Sequence, residues 1–120
     1  MKGIILLAHG SRDPQWILPF EQIRAEVERR VPECLTAIAY LEHSTPDLMT
    51  AVDGLVARGT TLIEVVPLFL GAGGHVRTDV PKLIERAMKR HEQVRFALRP
   101  FIGQARAVID AIAGYAASSS

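Results

Sequence analysis

The sequence lacks most of the features that would set the chain apart from ordinary globular proteins. It has a single cysteine, Cys34, so neither a disulfide framework nor a cysteine-rich metal site can form within one chain. The formal net charge is only +1, which argues against nucleic-acid binding through bulk positive charge. No apolar run approaches the roughly 20 residues of a membrane span, and the run at residues 4–8 is too short for a signal peptide. These absences predict a cytoplasmic protein with neither a nucleic-acid nor a membrane partner.

The composition that remains is that of a globular domain. Apolar residues make up 48% of the chain and charged residues 22%. A chain of 120 residues can bury a hydrophobic core without disulfides or metal ions. No linker, repeat or low-complexity segment interrupts it before the serines at the end. We therefore predict one domain over residues 1–117, followed by a disordered tail at residues 118–120.

Four continuous apolar runs alternate with four segments of helical periodicity. Continuous runs are typical of strands buried on both faces, and they lie at residues 4–8, 35–41, 62–66 and, more weakly, 94–98. Apolar residues at helical spacing lie within residues 16–27, 48–56, 80–87 and 105–112. The alternation predicts an α/β fold, a doubly wound parallel sheet of four strands in the flavodoxin-like order 2-1-3-4, with helices on both faces.

Several residues indicate where the helices begin and end. Thr45 and Pro46 are expected to form the cap and the first turn of the second helix. Gly59 is expected to end it. Pro81 is expected near the start of the third helix, because proline is tolerated in a first turn.

Two histidines and a carboxylate follow successive strands of this sheet. His9 comes directly after the first strand, Glu42 after the second, and His75 after the third strand and a glycine-rich loop. Ligands in such folds bind beyond the carboxyl ends of the strands, where the strand order reverses. Imidazole is a suitable ligand for first-row divalent metals, and a neighbouring carboxylate can accept protons. The pattern predicts His9 and His75 as catalytic metal ligands with Glu42 beside them, although either histidine alone would be read as an ordinary strand-end or loop residue.

Residues that flank the two histidines are candidates for binding an anionic substrate. Gly73 and Gly74 allow close approach of the backbone to a ligand, but the loop lacks the lysine that a phosphate-binding P-loop requires. Arginine is suited to bidentate contacts with carboxylates. The flanking polar and basic residues are Ser11, Arg12, Arg77, Thr78 and Lys82.

The remaining histidines and the cysteine are interpreted as structural. His43 follows Glu42, so strand alternation predicts that it points to the opposite face. His91 lies at the end of the third helix and is interpreted as a surface residue. Cys34 has no activating neighbour in the sequence and is interpreted as a packed core residue.

Several motifs in a fixed order resemble one family. They are LAHGSRD at residues 7–13, YLE at 40–42, PDL at 46–48, VPLFL at 66–70, GHV at 74–76 and DVP at 79–81. In this order they resemble the sirohydrochlorin chelatases, the CbiX-type class II enzymes of cobalamin and siroheme synthesis, in their short single-domain form. The resemblance extends over roughly residues 3–103. It differs near Gly103, where many members carry a histidine-proline pair and this chain has Gln104 and Ala105.

The resemblance implies a specific activity. His9 and His75 would hold a divalent metal and help to deprotonate an anionic tetrapyrrole, and Glu42 would assist in proton removal or metal handling. Insertion would need neither ATP nor a redox cofactor, and Co²⁺ is expected before Fe²⁺ or Ni²⁺. The short form is expected to work as a homodimer with its cleft near the subunit interface.

Two other functions fit part of the same pattern. A strand that ends in His-Gly also occurs in histidine phosphatases, but there an arginine precedes the histidine, and here Ala8 takes that position. A carrier of metal or tetrapyrrole would use the same cleft without turnover, so that it would retain its ligand tightly.

Overall fold

The apolar runs form a four-stranded parallel sheet in the order β2-β1-β3-β4, which confirms the predicted fold class. The computed structural model describes residues 1–71 and 73–118. The strands are β1 (Lys2–Ala8), β2 (Leu35–Tyr40), β3 (Leu62–Pro67) and β4 (Arg95–Leu98). β1 is paired along its length with β2 on one side and β3 on the other. The carboxyl ends of these three strands therefore lie side by side.

The helices are α1 (Leu18–Arg30), α2 (Leu48–Ala57), α3 (Gly74–Arg90) and α4 (Arg106–Ala117), with short 3-10 turns at Pro14–Ile17 and Ile102–Gln104. Within the described ranges, no helix is both long and apolar enough to cross a membrane. Of the predicted serine tail, only Ser118 lies among the described residues, and its N–H donates to the carbonyl of Tyr115 at 3.2 Å.

Two helices begin at residues other than those predicted. The cap of α2 is Asp47 rather than Thr45, because the Asp47 carboxylate accepts the N–H of Thr50 at 2.9 Å. α3 begins at Gly74, so Pro81 lies inside the helix and His75 belongs to its first turn rather than to a loop. Burial of Val76 and Val80 against the core extends this helix toward its N-terminus despite the hydrogen bond that Pro81 cannot donate. The predicted end of α2 is confirmed, since Gly59 follows it at a φ of +95°.

The two faces of the sheet carry separate apolar clusters. Residues such as Ile5 and Val65 pack with α2 and α3 on one face, whereas Ile4, Leu6 and their neighbours pack beneath α1 on the other. Cys34 is half-buried against the second cluster, in agreement with its interpretation as a packed residue. Both faces of β1 are thus covered, which explains its continuous apolar run.

None of the residues of α4 is buried. Its main contacts among the described residues are with the 3-10 turn just before it. Ile109, Ile112 and Tyr115 are all exposed, the last at 86%. Spacings of three residues place them along one side of the helix, so α4 presents an apolar side that the rest of the described chain does not cover.

A charged cluster joins α2 to the end of α3 on the side of the sheet opposite the carboxyl ends. The Arg90 guanidinium donates two hydrogen bonds of 2.9 Å to the Asp53 carboxylate, and His91 Nε2 lies 2.6 Å from Asp53 Oδ1. The interpretation of His91 as a surface residue is therefore wrong, since only 15% of its side chain is exposed. Hydrogen bonds from Arg90 and then from His91 lower the pKa of Asp53 to about 2.

We expect Asp53→Asn to lower the melting temperature by a few degrees at neutral pH. A carboxyl whose pKa is lower in the folded than in the unfolded state stabilises the fold fully above its unfolded pKa of about 3.9. That contribution disappears as the pH falls through the folded value of about 2. Thermal unfolding of both proteins between pH 7 and pH 2 should therefore give converging melting temperatures. Asp110→Asn, which removes an exposed ion pair with Arg106 on α4, is the control, and its melting temperature should stay close to that of the native protein. If the melting temperature of Asp53→Asn differed from the native value by the same amount at every pH, the lowered pKa of Asp53 would be contradicted.

Candidate functional site

A cleft of about 350 Å³ opens at the carboxyl ends of β1 and β2, beside α3. It is lined by His9, Leu41, Glu42, His75, Val76, Asp79, Lys82, Leu83 and Arg86. The three side chains predicted to be catalytic, His9, Glu42 and His75, are thus brought to one cleft from three separate segments. The position is the one expected from the reversal of strand order in a doubly wound sheet.

His9 and Glu42 are held together through their backbones. The N–H of Glu42 donates to the carbonyl of His9 at 2.9 Å, which continues the pairing of β1 and β2 beyond the strands. The His9 ring lies against Phe69, with 4.8 Å between ring centroids. Gly10 follows with a φ of +100°, and a Cβ atom there would lie 1.6 Å from the Glu42 carbonyl oxygen. Only glycine fits at this position, so Gly10 allows the two site residues to approach one another.

His75 approaches from the other wall of the cleft. Its side chain is 86% exposed, and its Nε2 lies 2.9 Å from Oδ2 of Asp79, one helical turn further along α3. A carboxylate in this position orients an imidazole and makes it a stronger ligand. Asp79 was not predicted as a site residue, although its spacing of four residues from His75 on a helix would have indicated the contact.

The cleft does not contain a closed metal site. Across residues 1–71 and 73–118, no group of three or more histidine, cysteine, aspartate or glutamate side chains is close enough to hold an ion. Glu42 is 63% exposed, and its Oε2 lies 3.8 Å from Nε2 of His43. Two imidazoles on opposite walls with open positions between them suit an ion that is held briefly and passed on, whereas a structural metal would have four fixed ligands.

Most of the predicted substrate-binding residues lie outside the cleft lining. The N–H of Ser11 donates to Ser44 Oγ at 3.1 Å, and Arg12 Nε donates to His43 Nδ1 at 3.4 Å. Gly73 precedes α3, and its carbonyl accepts the N–H of Arg77 at 3.1 Å. Gly74 is the first residue of α3, and Ala72 of the same glycine-rich loop lies outside the described residues.

Arg77 points to a different groove. That groove, of about 290 Å³, is lined by Arg77, Val80, Pro81, Leu98, Arg99, Pro100, Phe101 and Gln104. The chain reaches it where Gly103 passes so close to Leu70 that a Cβ atom would lie 1.5 Å from the Leu70 carbonyl oxygen. Gln104 lines this second groove and does not lie on the wall that carries His9 and His75.

The whole length of the fold matches one family model. The model described as CbiX covers residues 3–118. The chain belongs to the CbiX family. A relative in Methanosarcina barkeri, named sirohydrochlorin cobaltochelatase, is 32% identical over 82 residues, which are 68% of this chain and 63% of that protein. The match thus spans less than two thirds of that relative's length.

Solved structures of CbiX and SirB proteins share the fold. The cobalamin biosynthesis CbiX protein of Marinobacter aquaeolei VT8 has a TM-score of 0.86 and 39% identity, over 97% of this chain and 94% of that one. SirB, the sirohydrochlorin chelatase of Bacillus subtilis subspecies spizizenii, was solved in complex with cobalt and has a TM-score of 0.80 at 29% identity. The match covers 94% of this chain but 48% of the SirB chain. SirB from Bacillus subtilis with Fe³⁺ gives a TM-score of 0.81 at 27% identity, over 94% and 45% of the two chains.

We expect Gly10→Ala to reduce the free energy of unfolding by about 3 kcal/mol or more, because the new methyl group would overlap the Glu42 carbonyl and strain a positive φ. Gly54→Ala is a matched control in which the same methyl group meets nothing within 4 Å inside α2. That variant should gain about 0.5–1 kcal/mol from reduced backbone entropy. Urea denaturation measures both changes, and equal stability of the two variants would contradict the packing described for Gly10.

Proposed function

We propose that this chain is a cytoplasmic enzyme that inserts a divalent metal ion into sirohydrochlorin without ATP or a redox cofactor. The expected metal is Co²⁺. The observation that supports this most strongly is the convergence of His9, His75 and Glu42 on one open cleft in a chain of the CbiX family. The names of its relatives, sirohydrochlorin cobaltochelatase and sirohydrochlorin chelatase, agree with this activity.

In this mechanism the metal ion is a substrate that the two imidazoles hold first. The macrocycle then enters the open cleft with one face toward the ion, and the pyrrole nitrogens replace the imidazoles as ligands. Two N–H protons must leave the macrocycle during this exchange. The exposed carboxylate of Glu42 can accept one of them and release it to water, and an imidazole freed from the ion can accept the other. Asp79 keeps the His75 ring oriented through the contact at Nε2.

The choice of Co²⁺ rests on the names of the relatives and on the cobalt complex of SirB. The SirB structure with Fe³⁺ makes iron the first alternative, and Ni²⁺ the second. Nitrogen ligands bind Ni²⁺ more tightly than Co²⁺, and Co²⁺ more tightly than Fe²⁺. Because any such site follows this order, the choice of metal depends on the geometry of the site and on metal supply.

The proposed substrate is large and flat, and a second copy of the chain would help to enclose it. We propose that the working form is a homodimer in which the apolar side of α4, with Ile109, Ile112 and Tyr115, packs against the partner. The SirB chain, of which this chain covers 48%, is about twice as long and has room for a second unit of the same size. An apolar helix side exposed to water is unfavourable unless another surface covers it.

The dimer can be tested with a charge placed on that side of α4. We expect the native chain to have the mass of a dimer by light scattering at micromolar concentration, and Ile112→Glu to shift it to the monomer. Ala107→Glu, on the opposite side of α4, adds the same charge and should leave the dimer intact. A native chain that is monomeric at this concentration would refute the proposal.

The activity can be tested by anaerobic incubation of the native protein with sirohydrochlorin and Co²⁺, Fe²⁺ or Ni²⁺, followed by visible absorption. We expect His9→Ala and His75→Ala each to lower the rate with the preferred metal by about 100-fold, in the range observed when acid–base groups or ligands are removed. His91→Gln is the matched control, since His91 lies at the end of α3, outside the cleft lining, and its ring contacts Asp53 rather than a residue of the site. Unchanged rates in both cleft variants would refute the mechanism, and tight tetrapyrrole binding without turnover would indicate a carrier.

A further inference from the structure

The wall of the cleft that carries His75 also carries two positive charges, of which only Lys82 was among the anion-binding candidates of the sequence. Lys82 and Arg86 both line the cleft, further along α3. We propose that these two residues form a carboxylate-binding wall that holds the acidic side chains at the rim of the macrocycle. The inference rests on the proposed function, since it concerns the same cleft and the same substrate.

A single side of α3 carries the metal-holding and the cationic residues in order. Asp79, Lys82 and Arg86 follow His75 by four, seven and eleven residues, which are the spacings of one side of an α-helix. At 1.5 Å per residue, Lys82 lies about 10 Å and Arg86 about 16 Å beyond His75 along the axis. An ion held at His75 ends at the centre of the macrocycle. Groups at these distances are therefore placed for its periphery and not for its centre.

Both charges are available to a ligand. Lys82 and Arg86 are exposed, and neither makes a hydrogen bond or an ion pair with any of the residues that the structure describes. Arg90 and Arg99, by contrast, are paired with Asp53 and Glu64. Asp79, the one carboxylate that α3 contributes to the cleft lining, is in contact with His75. Among the described residues, neither of the two cations has an anion as a partner in an ion pair.

The floor of the cleft is apolar. Leu41 and Leu83 are half-buried there, and Val76 is buried beneath them. An apolar floor suits the flat face of a tetrapyrrole, whereas the cations suit its carboxylates, and together they favour a macrocycle with acidic substituents over an uncharged one. Arg86 can form the bidentate contact that a carboxylate prefers, and Lys82 adds a single charge.

The test compares steady-state insertion of the preferred metal by the native protein and by Lys82→Gln/Arg86→Gln. We expect KM for sirohydrochlorin to rise about tenfold with kcat within twofold, because contacts at the rim stabilise bound substrate and transition state alike. The increase should shrink at high salt, where exposed charges are screened. Lys82→Arg/Arg86→Lys keeps both charges and should restore KM to within about threefold of the native value.

Lys89→Gln is the matched control, since it removes a positive charge from the same helix outside the cleft lining. Its KM should not change, which separates a contact in the cleft from a general effect of net charge. An unchanged KM in the double glutamine variant would overturn the inference even if the native protein inserts metal. If the native protein inserts no metal, the proposed function fails, and sirohydrochlorin binding measured by fluorescence still decides the inference: equal Kd values for native and double variant would overturn it.

Discussion

The site depends on the extension of β1–β2 pairing by one residue beyond the strands. The hydrogen bond from the Glu42 N–H to the His9 carbonyl holds the two chain segments at strand spacing where both leave the sheet. Gly10 makes this possible, because any side chain there would occupy the position of the Glu42 carbonyl oxygen. β1 is itself fixed between two parallel neighbours and buried on both faces. His9, the first residue after β1 and the first to face the cleft, is thus held in place by the same pairing that fixes the strand.

The topology could be predicted from the sequence because its signals are local and repeated. Continuous apolar runs such as residues 4–8 mark buried strands, helical spacing marks the segments between them, and few sheet topologies connect such an alternation. The meeting of His9, Glu42 and His75 followed from that topology alone, since the three residues stand after β1, β2 and β3. Their roles in chemistry do not follow from position and stay predictions.

Other features depend on tertiary packing that sequence patterns do not reveal. Pro81 predicted a helix start, but the burial of Val76 and Val80 moved the start to Gly74, so that His75 became a helical residue. The same shift places Lys82 and Arg86 on the cleft and directs Arg77 into the neighbouring groove. His91 was misread because its partner, Asp53, is distant in sequence and comes close only when α2 and α3 pack side by side.

The two histidines belong to different elements of the fold, and this has a mechanical consequence. His9 belongs to the end of the sheet, whereas His75 belongs to a helix that meets the sheet only through side-chain packing. An ion bound by both would act as a removable cross-link between the sheet and the helix. Transfer of the ion to a macrocycle would break that cross-link in the same step that forms the product. Metal insertion would then by itself release the two cleft walls from each other, which would help the metallated macrocycle to leave.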